Sequence, residues 1–211
     1  MFTKALMAAG TLALILGMPV HATGETAPEQ ADGDTKTNAQ QANQNKKSPA
    51  ERRAAIRAMA RESLNEIYGK HPQAKEQIQK AAGYAVFNTG SVQVLFLGAG
   101  GGEGVAVSGG KETFMGVAQA KAGLGLGAKN SRLVLVFTDK ATYDKFVNKG
   151  WVFEGQGTAA AKAGDTGGAI AGAALIAPKV YAYQFTEHGL TAEVTVAGSK
   201  YFRDKELNQG K

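Results

Sequence analysis

Leu95-Phe-Leu-Gly-Ala-Gly-Gly-Gly-Glu-Gly-Val-Ala-Val-Ser-Gly-Gly110 is the stretch on which the reading of this chain turns. Glycines after an apolar strand often cradle a phosphate, but a cradle of that kind opens a helix. Here the glycines run into Val105-Ala-Val107, which favours a strand. The dinucleotide pattern Gly-x-Gly-x-x-Gly, started at Gly98 and Gly100, meets Glu103 at its third position. A P-loop ending at Gly110-Lys111 would need glycine at Val105 and Ser or Thr at Glu112. Both spacings fail, so the stretch reads as glycine-punctuated β structure. The same texture continues on either side, with 22 of the 28 glycines falling between Gly83 and Gly198.

Downstream and upstream of the quoted glycines, period-two patterning predicts short strands over residues 84–88, 92–97, 104–108, 114–120, 123–129 and 133–138. Thr138-Asp139 then caps a helix running to Val147, with Tyr143, Phe146 and Val147 inward. Residues 151–153 form a further strand. Residues 155–174 are Gly/Ala-rich and are compatible with loop, helix or membrane contact; within them Gly164, Gly168 and Gly172 have small-xxx-small spacing. The last hairpin joins residues 179–186 to 190–197 through Glu187-His188-Gly189. Glycine inside a strand marks a bend, a bulge or a close backbone approach. Gly98, Gly100, Gly102 and Gly104 are therefore expected to shape the sheet. Gly123, Gly125 and Gly127 alternate with Leu124 and Leu126, so one face of that strand is bare backbone that a helix or ligand should cover. Glu103 is the only acidic residue in 81–111. It is expected to ion-pair at the core edge or to cap N–H groups of the glycine loop.

N-terminal to the sheet, Ser48-Pro49-Ala50-Glu51 has the form of a capping box with proline in the first turn. Ile56, Met59, Ala60, Leu64 and Ile67 fall on one helical arc, and Gly69 and Pro72 end it. A second helix is expected over 72–82, with Ile78 inward and Gly83 as its stop. Arg53, Arg57 and Arg61 recur every four residues beside the apolar arc, and Lys46, Lys47 and Arg52 extend the basic surface. This stripe has two readings. One is the solvated edge of a helix packed on the sheet. The other is a surface for anionic lipid, where each basic residue contributes ~1 kcal/mol and arginine matches phosphate bidentately.

The beginning of the chain reads as an export signal. Lys4 precedes an uncharged apolar run over 5–18, and Val20-His21-Ala22 fits cleavage after Ala22. The run is shorter than the ~20 residues of a membrane span. Residues 23–47 are rich in Gln, Asn, Thr, Ala and Asp, contain no Leu, Ile, Val or aromatic residue, and read as a disordered linker. The remaining domain, 48–211, must form its core without disulfides, since the chain has no cysteine. The net charge is +6 and the pI about 9.4. Export to a periplasmic or extracellular site directs that charge toward an anionic membrane surface or acidic polymer and away from nucleic acid. His71 and His188 lack companion ligands at useful spacing, and no nucleophile–base set can be assembled. No metal, cofactor or catalytic residue is expected.

Several segments, taken in order, resemble the SYLF lipid-binding domain family: Lys80-Ala-Ala-Gly-Tyr-Ala-Val-Phe87, Gly98-Ala-Gly-Gly-Gly-Glu-Gly-Val105, Gly123-Leu-Gly-Leu-Gly-Ala128, Leu133-Val-Leu-Val-Phe137, Val180-Tyr-Ala-Tyr183 and Gly189-Leu-Thr-Ala-Glu-Val194. The resemblance runs from about Ala60 to Asn208. It implies non-catalytic binding of anionic phospholipid, with phosphoinositide-like headgroups, through an N-terminal basic amphipathic segment. In this chain that segment can only be the helix from Ser48 to Tyr68. Some family members also bind actin, an implausible partner for an exported bacterial protein. The chain departs from the family in three places: residues 110–116, residues 155–168, and the ending after Asn208. The expected fold is α+β, with N-terminal helices packed on a strongly coiled, mostly antiparallel sheet or partial barrel. The rival expectation is an envelope protein of structural or interaction type that docks a protein partner on its bare glycine strand.

Overall fold

The computed structural model describes residues 47–153, 158–160, 170–191, 193–195 and 198–209. The expected export signal and linker, and most of 155–174, lie outside the described residues. Helix α1 (Pro49–Lys70) begins at the predicted capping box: the Glu51 N–H donates to Ser48 Oγ at 3.3 Å, and the Ser48 N–H donates to Glu51 Oε2 at 2.8 Å. Its buried side chains are Ile56, Ala60, Ser63, Leu64 and Ile67. Helix α2 (Pro72–Lys80) follows after one residue, His71, and buries Ala74 and Ile78. It stops short of Gly83, which is not a helix cap but the first residue of the sheet.

The six short strands expected between 84 and 138 are two continuous ones. Strand β1 (Gly83–Ser108) and strand β2 (Lys111–Phe137) pair antiparallel from Gly83↔Phe137 to Ser108↔Lys111. The glycine runs bend the strands without ending them. The turn between them is Gly109-Gly110, with φ of 55° and 78°. Two positive φ values in a two-residue loop are those of a type I′ turn, whose twist matches the flanking strands.

This ribbon doubles back on itself. Gly98 and Gly100 lie against the backbone at Val92 and Gly90, where an added Cβ would stand 2.7 Å and 2.6 Å from the carbonyl oxygens. At Gly102 and Gly104 a Cβ would overlap the carbonyls of Asn88 and Val86. Glycine is required there because backbone lies where a side chain would start. The folded ribbon then recruits both halves of the remaining sheet. Helix α3 (Lys140–Lys149) is capped by Asp139, which accepts from the Thr142 N–H at 2.8 Å. Strands β3 (Trp151–Phe153), β4 (Thr158–Ala160), β5 (Ala174–Ala177), β6 (Val180–Thr186), β7 (Gly189–Thr191), β8 (Glu193–Thr195) and β9 (Ser199–Arg203) complete the described elements. The end of β2 pairs with β6, and its beginning with β9. The seven-stranded sheet runs β3-β9-β2-β6-β5, with β1 on β2 and β7 on β6; β4 and β8 form a separate pair. The main sheet is not closed.

The expected final hairpin is thus split: its second strand gives β7 to β6 and β8 to β4. Strand β9 was not anticipated, because Ser-Lys-Tyr-Phe-Arg shows no clean alternation. Tyr201 nevertheless points into the core, 4.8 Å from the Phe87 ring centre. Successive residues of the ribbon face opposite sides. Phe87, Leu135 and Phe137 join Phe146 and Tyr201 in the α3-side core, while Val86, Val134 and Val136 join Ile56, Ile67, Ile78 and Phe185 under α1 and α2.

Candidate functional site

Two surfaces bear on function: the basic side of α1, and the crest where the ribbon folds back. On α1, Arg52 is drawn toward the sheet. Its Nε donates to Glu103 Oε1 at 2.9 Å and its Nη2 pairs with the same oxygen; Nη1 meets Glu206 Oε2 at 2.5 Å and Asp204 lies 3.6 Å away. Arg57 grips Glu112 with Nε at 3.0 Å and Nη2 at 2.7 Å, and its guanidinium sits 5.3 Å above the Phe114 ring. The hydrogen bonds that Arg52 and Arg57 donate to Glu103 and Glu112 hold these two guanidinium pKa values above the ordinary arginine value, against a smaller opposing effect of burial. Arg53 donates to the Leu207 carbonyl at 3.4 Å. Lys47 and Arg61 are exposed, and Lys46 lies outside the described residues.

The arginines at 52, 53 and 57 therefore fasten the helix to β1, β2 and the C-terminal turn. A charge-assisted hydrogen bond of this kind contributes roughly 1.5–3 kcal/mol when partly buried. Glu103, alone in its glycine stretch, is the acceptor for Arg52. The helical period could locate the stripe but not its partners, which come from residues 51 to 154 positions away in sequence. The glycines divide in role: Gly98, Gly100, Gly102 and Gly104 line the crease, whereas Gly127 (φ 119°) has open space beside it and no cover. The side-chain surroundings of Gly123 and Gly125 lie outside the described residues.

Sequence reasoning missed the crest. Val94, Leu95, Phe96 and Leu97 form the fold-back, and Leu126 stands opposite Val94 in the register. All five side chains are 57–75% exposed. Leu95 has φ of 54°, and the register slips between Leu95 and Leu97, so the ribbon turns sharply here. A leucine in the left-handed region costs about 1–2 kcal/mol, and four consecutive exposed apolar residues are not a neutral surface. In the sequence the run falls in the strand expected over 92–97, and an apolar run alone does not distinguish core from crest.

The ribbon segments that run into the crest carry charges of one sign in sequence. No Asp or Glu occurs between Glu76 and Glu103 or between Glu112 and Asp139, while Lys121, Lys129 and Arg132 do occur. Arg132 is held by Glu62 and Glu66 of α1, each at 3.1 Å. Lys121 pairs in register with Gly98, next to the crest, and its Nζ donates to Ser91 Oγ at 2.7 Å. Burial, and secondarily the nearby Lys129, push the Lys121 pKa below the usual lysine value. Among the described residues no helix is long and apolar enough to cross a membrane, and no three His, Cys, Asp or Glu side chains are grouped as metal ligands.

Comparison with known proteins gives two matches. Residues 118–210 match the Ysc84 family, described as Las17-binding protein actin regulator. The chain is also similar to beta cell expansion factor A of Aeromonas veronii, at 36% identity over 174 residues. That alignment covers 78% of this chain and 62% of the relative, so the chain spans about three-fifths of the relative's length.

Proposed function

Because the chain belongs to the Ysc84 (SYLF) family through residues 118–210, we propose that it is a non-catalytic binder of anionic phospholipid at a bacterial envelope membrane surface. The family is one of binding domains, which supports a binding role. The observation that carries the membrane reading is the apolar crest, Val94 to Leu97 with Leu126, on a ribbon segment whose own sequence holds lysines and, from 77 to 102 and from 113 to 138, no Asp or Glu. Each such side chain contributes about 1.5–3 kcal/mol when fully removed from water. Partial immersion of five therefore offsets the cost of holding a domain at an interface, and adjacent lysines favour an anionic surface. The crest supplies the apolar contact. Lys47, just before α1, and Arg61 of α1 are exposed and remain available to a phosphate surface, whereas Arg52 and Arg57 already have carboxylate partners.

Vesicle flotation tests this reading. The chain should float with anionic vesicles, and Phe96→Asp with Leu97→Asp should reduce the bound fraction at least tenfold while the circular dichroism spectrum is unchanged. Equal flotation of the double variant refutes it. A second reading is a protein partner docked on the same crest, supported by the family description, which names binding to a protein. A stoichiometric complex that survives delipidation and is lost in the crest variant would favour that alternative.

A further inference from the structure

We propose that Lys121 and Lys129, with the hydroxyl of Ser91, form a phosphate subsite immediately behind the crest that takes the phosphate of an anionic lipid headgroup. The inference rests on the membrane reading of the crest and adds to it the group that would be recognised. Lys121 lies one rung behind Leu97, and Ser91 stands opposite Lys129 in the register. The Lys121 ammonium is half-buried and donates one hydrogen to Ser91 Oγ. Ser91 is 6% exposed and donates its own hydrogen to the Lys129 carbonyl at 3.5 Å, and so positions Lys121 without itself donating to the phosphate. An ammonium has two further donors.

Three of the other half-buried cations meet carboxylates, Arg52 with Glu103, Arg57 with Glu112, and Arg132 with Glu62 and Glu66, and Arg53 meets the Leu207 carbonyl. Among the described residues Lys121 has no carboxylate partner, and the charge nearest to it in effect is a second ammonium, Lys129. A desolvated cation beside another cation is unfavourable until an anion joins them. Phosphate satisfies both charges and the free N–H donors, and lysine serves it as a point charge that needs no planar match. The position matters as much as the chemistry. With the crest in the apolar layer, a group one rung behind it stands at headgroup depth.

The test is flotation of the whole chain on phosphatidylcholine vesicles with and without phosphatidylglycerol, using Lys121→Gln, Lys129→Gln, the double variant and Ser91→Ala. Each lysine near an anionic surface contributes ~1 kcal/mol, about a fivefold preference, so the double variant should lose roughly 25-fold of its preference for phosphatidylglycerol. Its binding to phosphatidylcholine alone should persist. The same change on α3, Lys145→Gln with Lys149→Gln, should leave the preference intact. Unchanged preference in the Lys121/Lys129 variant overturns the subsite and leaves the crest reading standing. Loss of nothing in the Phe96/Leu97 variant overturns the crest reading itself. If the double variant fails to fold, Lys129→Gln and Ser91→Ala decide the matter, and no change in either refutes the subsite. Titration of the soluble chain with inorganic phosphate, followed by the Lys121 side-chain resonances, separates the sources. Shifts that saturate at phosphate levels below those needed with short-chain phosphatidylglycerol would assign the site to free phosphate and overturn the lipid assignment.

Discussion

Gly102→Ala should unfold the crease without touching any side chain. A Cβ at this position overlaps the Asn88 carbonyl oxygen and comes within 2.9 Å of the Asn88 carbonyl carbon and of Thr89 Cα. The three nearest atoms are all backbone of β1, so no rotamer change can relieve the overlap. Overpacking of this kind costs about 1–3 kcal/mol, toward the upper end where the neighbour cannot move. At roughly 2–4 °C per kcal/mol for a domain of this size, the melting midpoint should fall by about 4–12 °C. Two controls separate the clash from a general penalty for losing glycine. Gly69 in α1 has nothing within 4 Å of its would-be Cβ, so Gly69→Ala should raise stability by about 0.5–1 kcal/mol. Gly127 also has open space but sits at φ 119°, so Gly127→Ala reports backbone strain alone. Thermal and urea denaturation followed by circular dichroism give all three values under one protocol. A Gly102→Ala loss no larger than that of Gly127→Ala would refute the doubled-back ribbon, because no backbone would then lie where the Cβ must go.

Two further results follow from the packing. Glu103→Gln should cost about 1–2 kcal/mol in urea unfolding, because the Arg52 guanidinium keeps a hydrogen-bonding neighbour but loses a charge in a contact only partly open to water; a change within error would assign the helix anchor to Glu206 and Asp204. Alkaline titration should show a sharp loss of stability. Burial raises the Tyr143 pKa to about 12 and raises Tyr183 and Tyr201 as well. These phenols bind protons more tightly folded than unfolded, so their contribution is intact below about pH 10 and falls away as pH rises toward the folded values. Absorbance at 295 nm should therefore report these three ionising together with unfolding; free titration of all six tyrosines near pH 10 in the folded protein would contradict their burial.

The sequence was most informative where chemistry is local. Ser48, Glu51 and Asp139 act on backbone groups within a few residues, so their spacing is a sufficient signal. The helical arc of α1 and the alternation around 133–137 were legible for the same reason. The six-strand reading failed because glycine in a strand was taken as punctuation. Its role at 98–104 depends on a second stretch of the same strand, which no local pattern reveals. For the stripe of α1 the position was legible but the partners were not. Arg52 and Arg57 sit where the period puts them, but whether a flanking arginine meets solvent or a carboxylate depends on Glu103, Glu112 and Glu206. Val94 to Leu97 was visible as an apolar run with no acidic neighbour, and only the fold-back places it outside.

The type I′ turn at Gly109-Gly110 has a consequence for how the chain acquires its shape. Pairing in the ribbon begins between residues three apart, at Ser108 and Lys111, and proceeds rung by rung to Gly83 and Phe137. Each rung closes only a small additional loop once its predecessor has formed, so the ribbon can zip from its turn at hairpin speed although its outermost partners are distant in sequence. Everything that β2 later pairs with, β6 and β9, is C-terminal to it. A chain emerging from its N-terminus can thus complete the central ribbon before either flank of the sheet exists, leaving the edges of β2 as the template on which β6 and β9 are laid down.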